Sequence, residues 1–143
     1  MSKTRSILIL DDEPIVGERL KTLLVKDGHL VEVFTDPRLA IRHLEEKTFD
    51  IIISDIRMRE IDGIQVMNHV FQKSKKTKVI LITGYATLEL ARESLTKGAF
   101  DFIAKPFKSK EYLDYLNDLL ENDKYLIFFK DKKKLISKNK YYK

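Results

Sequence analysis

Five short strand-like runs, each separated from the next by an amphipathic stretch, set the pattern of this chain: Ser6–Leu10, Leu30–Phe34, Ile51–Ser54, Val79–Ile82 and Asp101–Ala104. That alternation predicts parallel strands joined by helices that pack back onto the sheet. The first, third and fourth runs are apolar without alternation, as strands covered on both faces are, so they should be central. Between the runs, helical spacing marks Val16, Leu20, Leu23 and Leu24, then Leu39, Ala40 and Leu44, then Ile64, Met67, Val70 and Phe71, then Leu88, Ala91 and Leu95. A fifth set, Leu113, Leu116, Leu119 and Leu120, follows the last run. Asp36 and Pro37 form a helix-start pair, while Gly28 and Gly98 fall where helices end in a left-handed cap.

With 143 residues, 43% of them hydrophobic, the chain suits one domain with a real core. The net charge of +5 is unevenly spread. Residues 1–121 hold 19 basic and 20 acidic side chains, whereas 122–143 hold 8 and 2, so a near-neutral domain (1–121) precedes a basic, aromatic-containing tail. In that tail, either the fifth helix continues through Leu126 and Ile127 or the run Tyr125–Phe129 forms a separate strand; the sequence leaves both open. No cysteine is present, which excludes disulfides and thiolate metal sites. The start of the chain does not read as a secretory signal and no apolar run is long enough to span a bilayer, so a soluble cytoplasmic protein without membrane contact is expected.

The chemistry gathers where strands end. Asp11 and Asp12 follow the first run, Asp55 ends the third and Lys105-Pro106 follows the fifth, which places them together at the carboxyl edge of one sheet. Singly, an Asp pair or a Lys-Pro is a turn signal; jointly they define a pocket. Crowded carboxylates repel unless a cation joins them, and oxygen ligands without His or Cys favour Mg²⁺ or Mn²⁺. Asp12 and, directly or through water, Asp11 would hold the metal, leaving Asp55 as nucleophile towards phosphorus and Lys105 to neutralise the transferred group. Glu13 could substitute as a ligand, but its place suits better the start of the first helix, where a carboxylate meets the positive end of the dipole. Thr83, ending the fourth strand before Gly84, can donate its hydroxyl to a phosphoryl oxygen.

These residues closely resemble the receiver domain of bacterial two-component response regulators. Asp11-Asp12-Glu13, Ser54-Asp55-Ile56-Arg57-Met58, Asp62-Gly63, Thr83-Gly84-Tyr85-Ala86 and Lys105-Pro106-Phe107 occur in the family's order over about residues 4–121. Ile53–Met58 and Ile82–Ala86 look most like receivers attached to enhancer-binding transcription activators. The resemblance implies a flavodoxin-like, doubly wound five-stranded parallel sheet of order 2-1-3-4-5 with helices on both faces. It also implies phosphorylation of Asp55 by the phosphohistidine of a sensor kinase or phosphotransfer protein. Mg²⁺ would be bound by Asp12, Asp55 and the Arg57 backbone carbonyl, with Asp11 assisting. Thr83 and Lys105 would engage the phosphoryl group. By the same resemblance the Lys105–Pro106 peptide is cis, against a general prior of only ~5%, and Phe102 is either a switch aromatic or an edge-strand core residue. Arg59 departs from the family's usual Pro, and Arg57 and Tyr85 flank the phosphoryl site, where they would tune its lifetime.

The leading expectation is a phosphorylation-controlled switch that changes a protein-binding surface at helix four, strand five and helix five, and not an enzyme acting on an outside substrate. A phosphorylation-dependent homodimer through Leu88, Leu95 and Tyr112 is a further expectation. A haloacid dehalogenase-like phosphohydrolase would want an acid-base Asp where Arg57 stands. A DNA-binding regulator lacks a recognition helix, so the lysines of the tail suit only weak, non-specific phosphate contacts. His29, His43 and His69 have no metal-ligand spacing and are read as surface or half-buried.

Overall fold

The computed structural model describes residues 4–105. Its elements run β1 (Ser6–Leu10), α1 (Pro14–Lys26), β2 (Leu30–Phe34), α2 (Pro37–Glu46), β3 (Ile51–Asp55), α3 (Gly63–Lys73), β4 (Lys78–Thr83), α4 (Leu88–Thr96) and β5 (Asp101–Ala104). The expected fifth helix, Tyr112, the Lys105–Pro106 peptide and the tail lie outside the described residues.

All four strand pairs are parallel, in the order β2-β1-β3-β4-β5. The apolar runs without alternation, β1, β3 and β4, are therefore the inner strands. Alternate side chains feed two cores. Leu8, Leu10, Ile52, Val79, Leu81 and Phe102 pack against Ala40 and Leu44 of α2, Met67 and Val70 of α3, and Ala91 of α4. On the opposite face Ile7, Ile9, Ile51, Ile53, Ile80, Ile82 and Ile103 share a core with Leu20 and Leu24 of α1. The helices thus lie on both faces, and the doubly wound architecture is as expected.

Local chemistry sets the element ends. Asp36 accepts from Arg38 N at 2.9 Å with Pro37 at the first helical position of α2. A capping box joins Asp62 and Gln65 at the start of α3. Gly28 and Gly98 adopt φ of 92° and 111° after α1 and α4, the left-handed conformation of a helix stop. Asp50 fixes the β1–β3 register from below, accepting from both the backbone and the hydroxyl of Ser6.

Three expectations about orientation are corrected. Leu39 is 50% exposed, because the inward stripe of α2 is Pro37, Ala40 and Leu44, and Leu39 falls outside that arc. Leu88 opens α4 and is exposed, while Ala91 and Ser94 face inward, the Ser94 hydroxyl donating to Leu90 O at 2.8 Å. His29 is buried: its Nδ1 accepts from Arg5 N at 3.1 Å, which stitches the starts of β1 and β2 together. His43 is half-buried between the Phe34 and Phe49 rings and meets Glu32 at 3.1 Å, and His69 is exposed.

Candidate phosphoacceptor site

Register decides what meets at the carboxyl edge. Leu10 of β1 pairs with Ser54 of β3, so Asp11 and Asp55 emerge side by side. Thr83 of β4 pairs with Ala104 of β5, and Lys105 N donates to Thr83 O at 2.8 Å. The Lys105 side chain then turns back across β4 and β3. Its Nζ lies 2.8 Å from Asp11 Oδ2, 3.4 Å from Asp55 Oδ2 and 3.6 Å from Glu13 Oε1.

Asp11 is buried and fully engaged, its Oδ1 accepting from Glu13 N at 2.9 Å while Oδ2 holds Lys105. Asp12 is exposed, and Asp55 is 5% exposed. Carboxylate oxygens of Asp11, Asp12, Glu13 and Asp55 all lie within 4.8 Å of one another. Together with Arg57, Gly84, Tyr85 and Lys105, three of these acids line a cavity of about 600 Å³. The donor set is all hard oxygen, negatively charged beyond what one ammonium offsets, and fits a divalent cation of the Mg²⁺ or Mn²⁺ type.

The electrostatics follow from this crowding. Burial lifts the Asp55 carboxyl from its ordinary 3.8 to about 6; the Lys105 charge pulls it down, and Asp11 and Asp12 push it further up. Burial also works to lower Lys105, yet its hydrogen bond to Asp11 and the surrounding carboxylates leave its affinity for the proton above the ordinary value.

Thr83 is wholly buried, and its hydroxyl oxygen accepts from Tyr85 N at 3.1 Å. Among the described residues the cavity wall at this corner is Gly84 and Tyr85 rather than Thr83 itself. Phe102 is completely buried beneath α4 in the larger core. Gly63 packs so close behind the acceptor that a Cβ there would overlap Asp55 O and sit 3.0 Å from Ile56 Cα.

Glu13, for which the sequence offered both a helix start and a substitute ligand, is both the N-cap of α1 and a pocket carboxylate. One feature escaped the sequence reading. The Arg57 guanidinium stacks over the Tyr85 ring at 5.3 Å, a pairing between separate loops that no local spacing signals. The loop after Asp55, where Arg59 replaces the usual Pro, is tightly turned: Ile61 N donates to Arg59 O at 2.6 Å around Glu60, whose φ is 65°, and Glu60 is ion-paired to Arg38.

A five-stranded parallel sheet of order 2-1-3-4-5 with an acid cluster at its carboxyl edge defines the flavodoxin-like class. The model of the response regulator receiver domain matches residues 7–117, and the chain belongs to that family of two-component signalling domains. Regulatory protein AtoC of Escherichia coli (strain K12) is 36% identical over 121 residues, 85% of this chain and 25% of the relative. The C4-dicarboxylate transport transcriptional regulatory protein DctD of Pseudomonas aeruginosa is 33% identical over 115 residues, 80% of this chain and 25% of the relative. The chain thus spans about a quarter of the length of these relatives. Among solved structures, chemotaxis response regulator CheY4 of Vibrio cholerae is similar at a TM-score of 0.75 and 28% identity, covering 82% of this chain and 100% of the other. The Francisella response regulator 1452 receiver domain gives 0.73 and 26%, covering 82% and 97%. The family is regulatory, and the phosphohydrolase alternative finds no support in it. Among the described residues no helix is long and apolar enough to cross a membrane.

Proposed function

We propose that this receiver accepts a phosphoryl group on Asp55 from the phosphohistidine of a sensor histidine kinase or phosphotransfer protein in the cytoplasm. The observation that carries this reading is the Lys105 ammonium held between Asp11 and Asp55 at 2.8 and 3.4 Å, beside a carboxylate cluster that opens into a cavity. Asp55 attacks phosphorus as the donor's phosphorus–nitrogen bond breaks. Asp12, Asp55 and the Arg57 carbonyl would hold Mg²⁺, which when bound neutralises negative charge around the transferred group. Asp11 positions Lys105 through Oδ2 and, with lone pairs to spare on both oxygens, assists the metal directly or through water.

The receiver catalyses only its own phosphorylation and dephosphorylation. Thr83 reports the event: its hydroxyl, freed from Tyr85 N, turns to the phosphoryl group, and the space released lets Phe102 repack against α4. That alters the surface of α4, β5 and the chain beyond, to which a downstream protein or a second copy binds. Arg57 and Tyr85, stacked on the cavity wall, limit access of water and so set the lifetime of the phosphorylated form. The quarter coverage of AtoC and DctD favours a second reading, in which this receiver, of the enhancer-binding activator subgroup, works as one portion of a DNA-binding transcription regulator.

Incubation with Mg²⁺ and acetyl phosphate, read by intact mass, tests the chemistry. The expected gain is about 80 Da, the mass of one phosphoryl group. It must disappear in Asp55→Ala; a gain that persists there, or no gain in the natural chain, rejects the proposal.

A further inference from the structure

Two residues near the site each break a local rule, and they are partners. Arg38 stands in the first turn of α2, at the positive end of the helix dipole, where a cation is out of place. Glu60, in the loop between β3 and α3, holds a φ of 65°, a left-handed conformation uncommon for a long side chain. Their side chains form an ion pair although each is more than half exposed and could be met by water alone. Where local preference is overridden at both ends of one contact, the compensating gain lies in what that contact holds in place.

What it holds is the loop that follows the phosphoacceptor. That loop leaves β3 with Ile56 N donating to Ile82 O at 2.8 Å and ends where Gly63 N donates to Ile56 O at 2.9 Å. Met58 and Ile61 pack against the larger core. Arg59 and Glu60 between them are exposed, and the Pro that would stiffen this tip is replaced by Arg59. A cleft of about 490 Å³ lies between the tip and the start of α2; Arg38, Arg59 and Glu60 line it, and so does Asp12, which also lines the reaction cavity. The ion pair bridges that cleft. Arg57, whose backbone carbonyl is assigned to the cation, stands three residues before Glu60.

We propose that the Arg38–Glu60 pair is a clasp for cation binding: it ties the loop tip to α2 and so fixes the segment that presents the Arg57 carbonyl. Arg38 and Glu60 are positioning residues, since neither is itself a ligand. The clasp stands in for the backbone stiffness that Pro would give at position 59. This rests on the reading that Arg57 offers its carbonyl to Mg²⁺. A bare charge effect predicts the opposite outcome at one of the two residues. Removing the Arg38 cation, which shares a cleft with Asp12, would tighten Mg²⁺ binding by simple electrostatics, whereas loss of a clasp loosens it.

Titration of the metal-free full chain with Mg²⁺, followed by amide shifts in NMR spectra without any phosphodonor, separates the two. Arg38→Gln, Glu60→Gln and the chain carrying both should each raise the dissociation constant roughly threefold at low ionic strength, the scale of an exposed ion pair. The difference should shrink at about 1 M KCl, where the screening length is about 3 Å. Arg38→Lys keeps the charge and should bind Mg²⁺ nearly as the natural chain does. Without metal, hydrogen exchange at the Ile61 and Gly63 amides, which donate to Arg59 O and Ile56 O, should quicken in all three Gln chains. Equal or tighter Mg²⁺ binding in Arg38→Gln overturns the proposal, as does a double variant that returns to the natural affinity, which is the signature of bare charge. Unchanged exchange at both amides overturns the clasp, and so does an Arg38→Lys chain as weak as Arg38→Gln. If the natural chain binds no Mg²⁺, the cation reading fails and the purpose assigned to the clasp fails with it; binding that is intact but indifferent to the pair rejects the clasp alone.

Discussion

At the level of single residues, Asp55 is held where a charge is unwelcome until something cationic joins it. Its carboxyl ionises at about 6 in the folded, metal-free protein and near 3.8 when unfolded. A raised folded-state value means that the native state binds the extra proton more tightly, so the stability it contributes is fully present below about 3.8 and is lost as pH rises through about 6. Asp55→Asn should accordingly be more stable than the natural chain at pH 8 by on the order of 3 kcal/mol, a gap that closes towards pH 4. Urea unfolding across that range in the absence of divalent metal measures it. The Arg57–Tyr85 stack gives a second expectation. Arg57→Ala and Tyr85→Ala should each speed loss of phosphate by roughly threefold, and the double variant should do no more than either, because each substitution already removes the shared contact, worth about 0.5–1 kcal/mol. Additive effects would show that the two act separately.

Among the elements, the start of α3 is the tightest junction near the site. The capping box of Asp62 and Gln65 fixes where the helix begins, and Gly63 then lies directly against the backbone of Asp55 and Ile56. Gly63→Ala must push helix and acceptor strand apart and should cost about 1–3 kcal/mol, with slower phosphoryl uptake; equal urea midpoints for the two chains would contradict it. Much of this layer was legible beforehand. The unbroken isoleucine and leucine runs of β1, β3 and β4 announced inner strands, Asp36-Pro37 announced the start of α2, and Asp11, Asp12, Asp55 and Lys105 announced the pocket because strand ends must share an edge. What stayed hidden depends on tertiary packing. The exposure of Leu39 and Leu88 is decided by how each helix is set over the sheet, the burial of His29 by a hydrogen bond to Arg5 across strands, and the Arg57–Tyr85 contact by two loops that approach only after folding.

Over the whole molecule, the two cores divide the work. One face carries α1 beside the acid cluster, and the other carries α2, α3 and α4 over Phe102. Phe102→Ala would open a cavity in that second core and should cost roughly 3–5 kcal/mol, whereas Phe102→Leu should preserve the fold while weakening the phosphorylation-dependent surface change. Thermal unfolding separates these outcomes, and chemical shifts of α4 with and without acetyl phosphate report the second; an α4 response in Phe102→Leu equal to the natural chain's would remove Phe102 from the relay. One consequence reaches beyond signalling. Lys105 meets partners 94 and 50 positions earlier in the chain, and it does so only because β5 has joined the far side of β4. On the proposed chemistry, a nascent or truncated polypeptide lacking β5 cannot bring Lys105 to Asp55, so competence to accept a phosphoryl group would double as quality control.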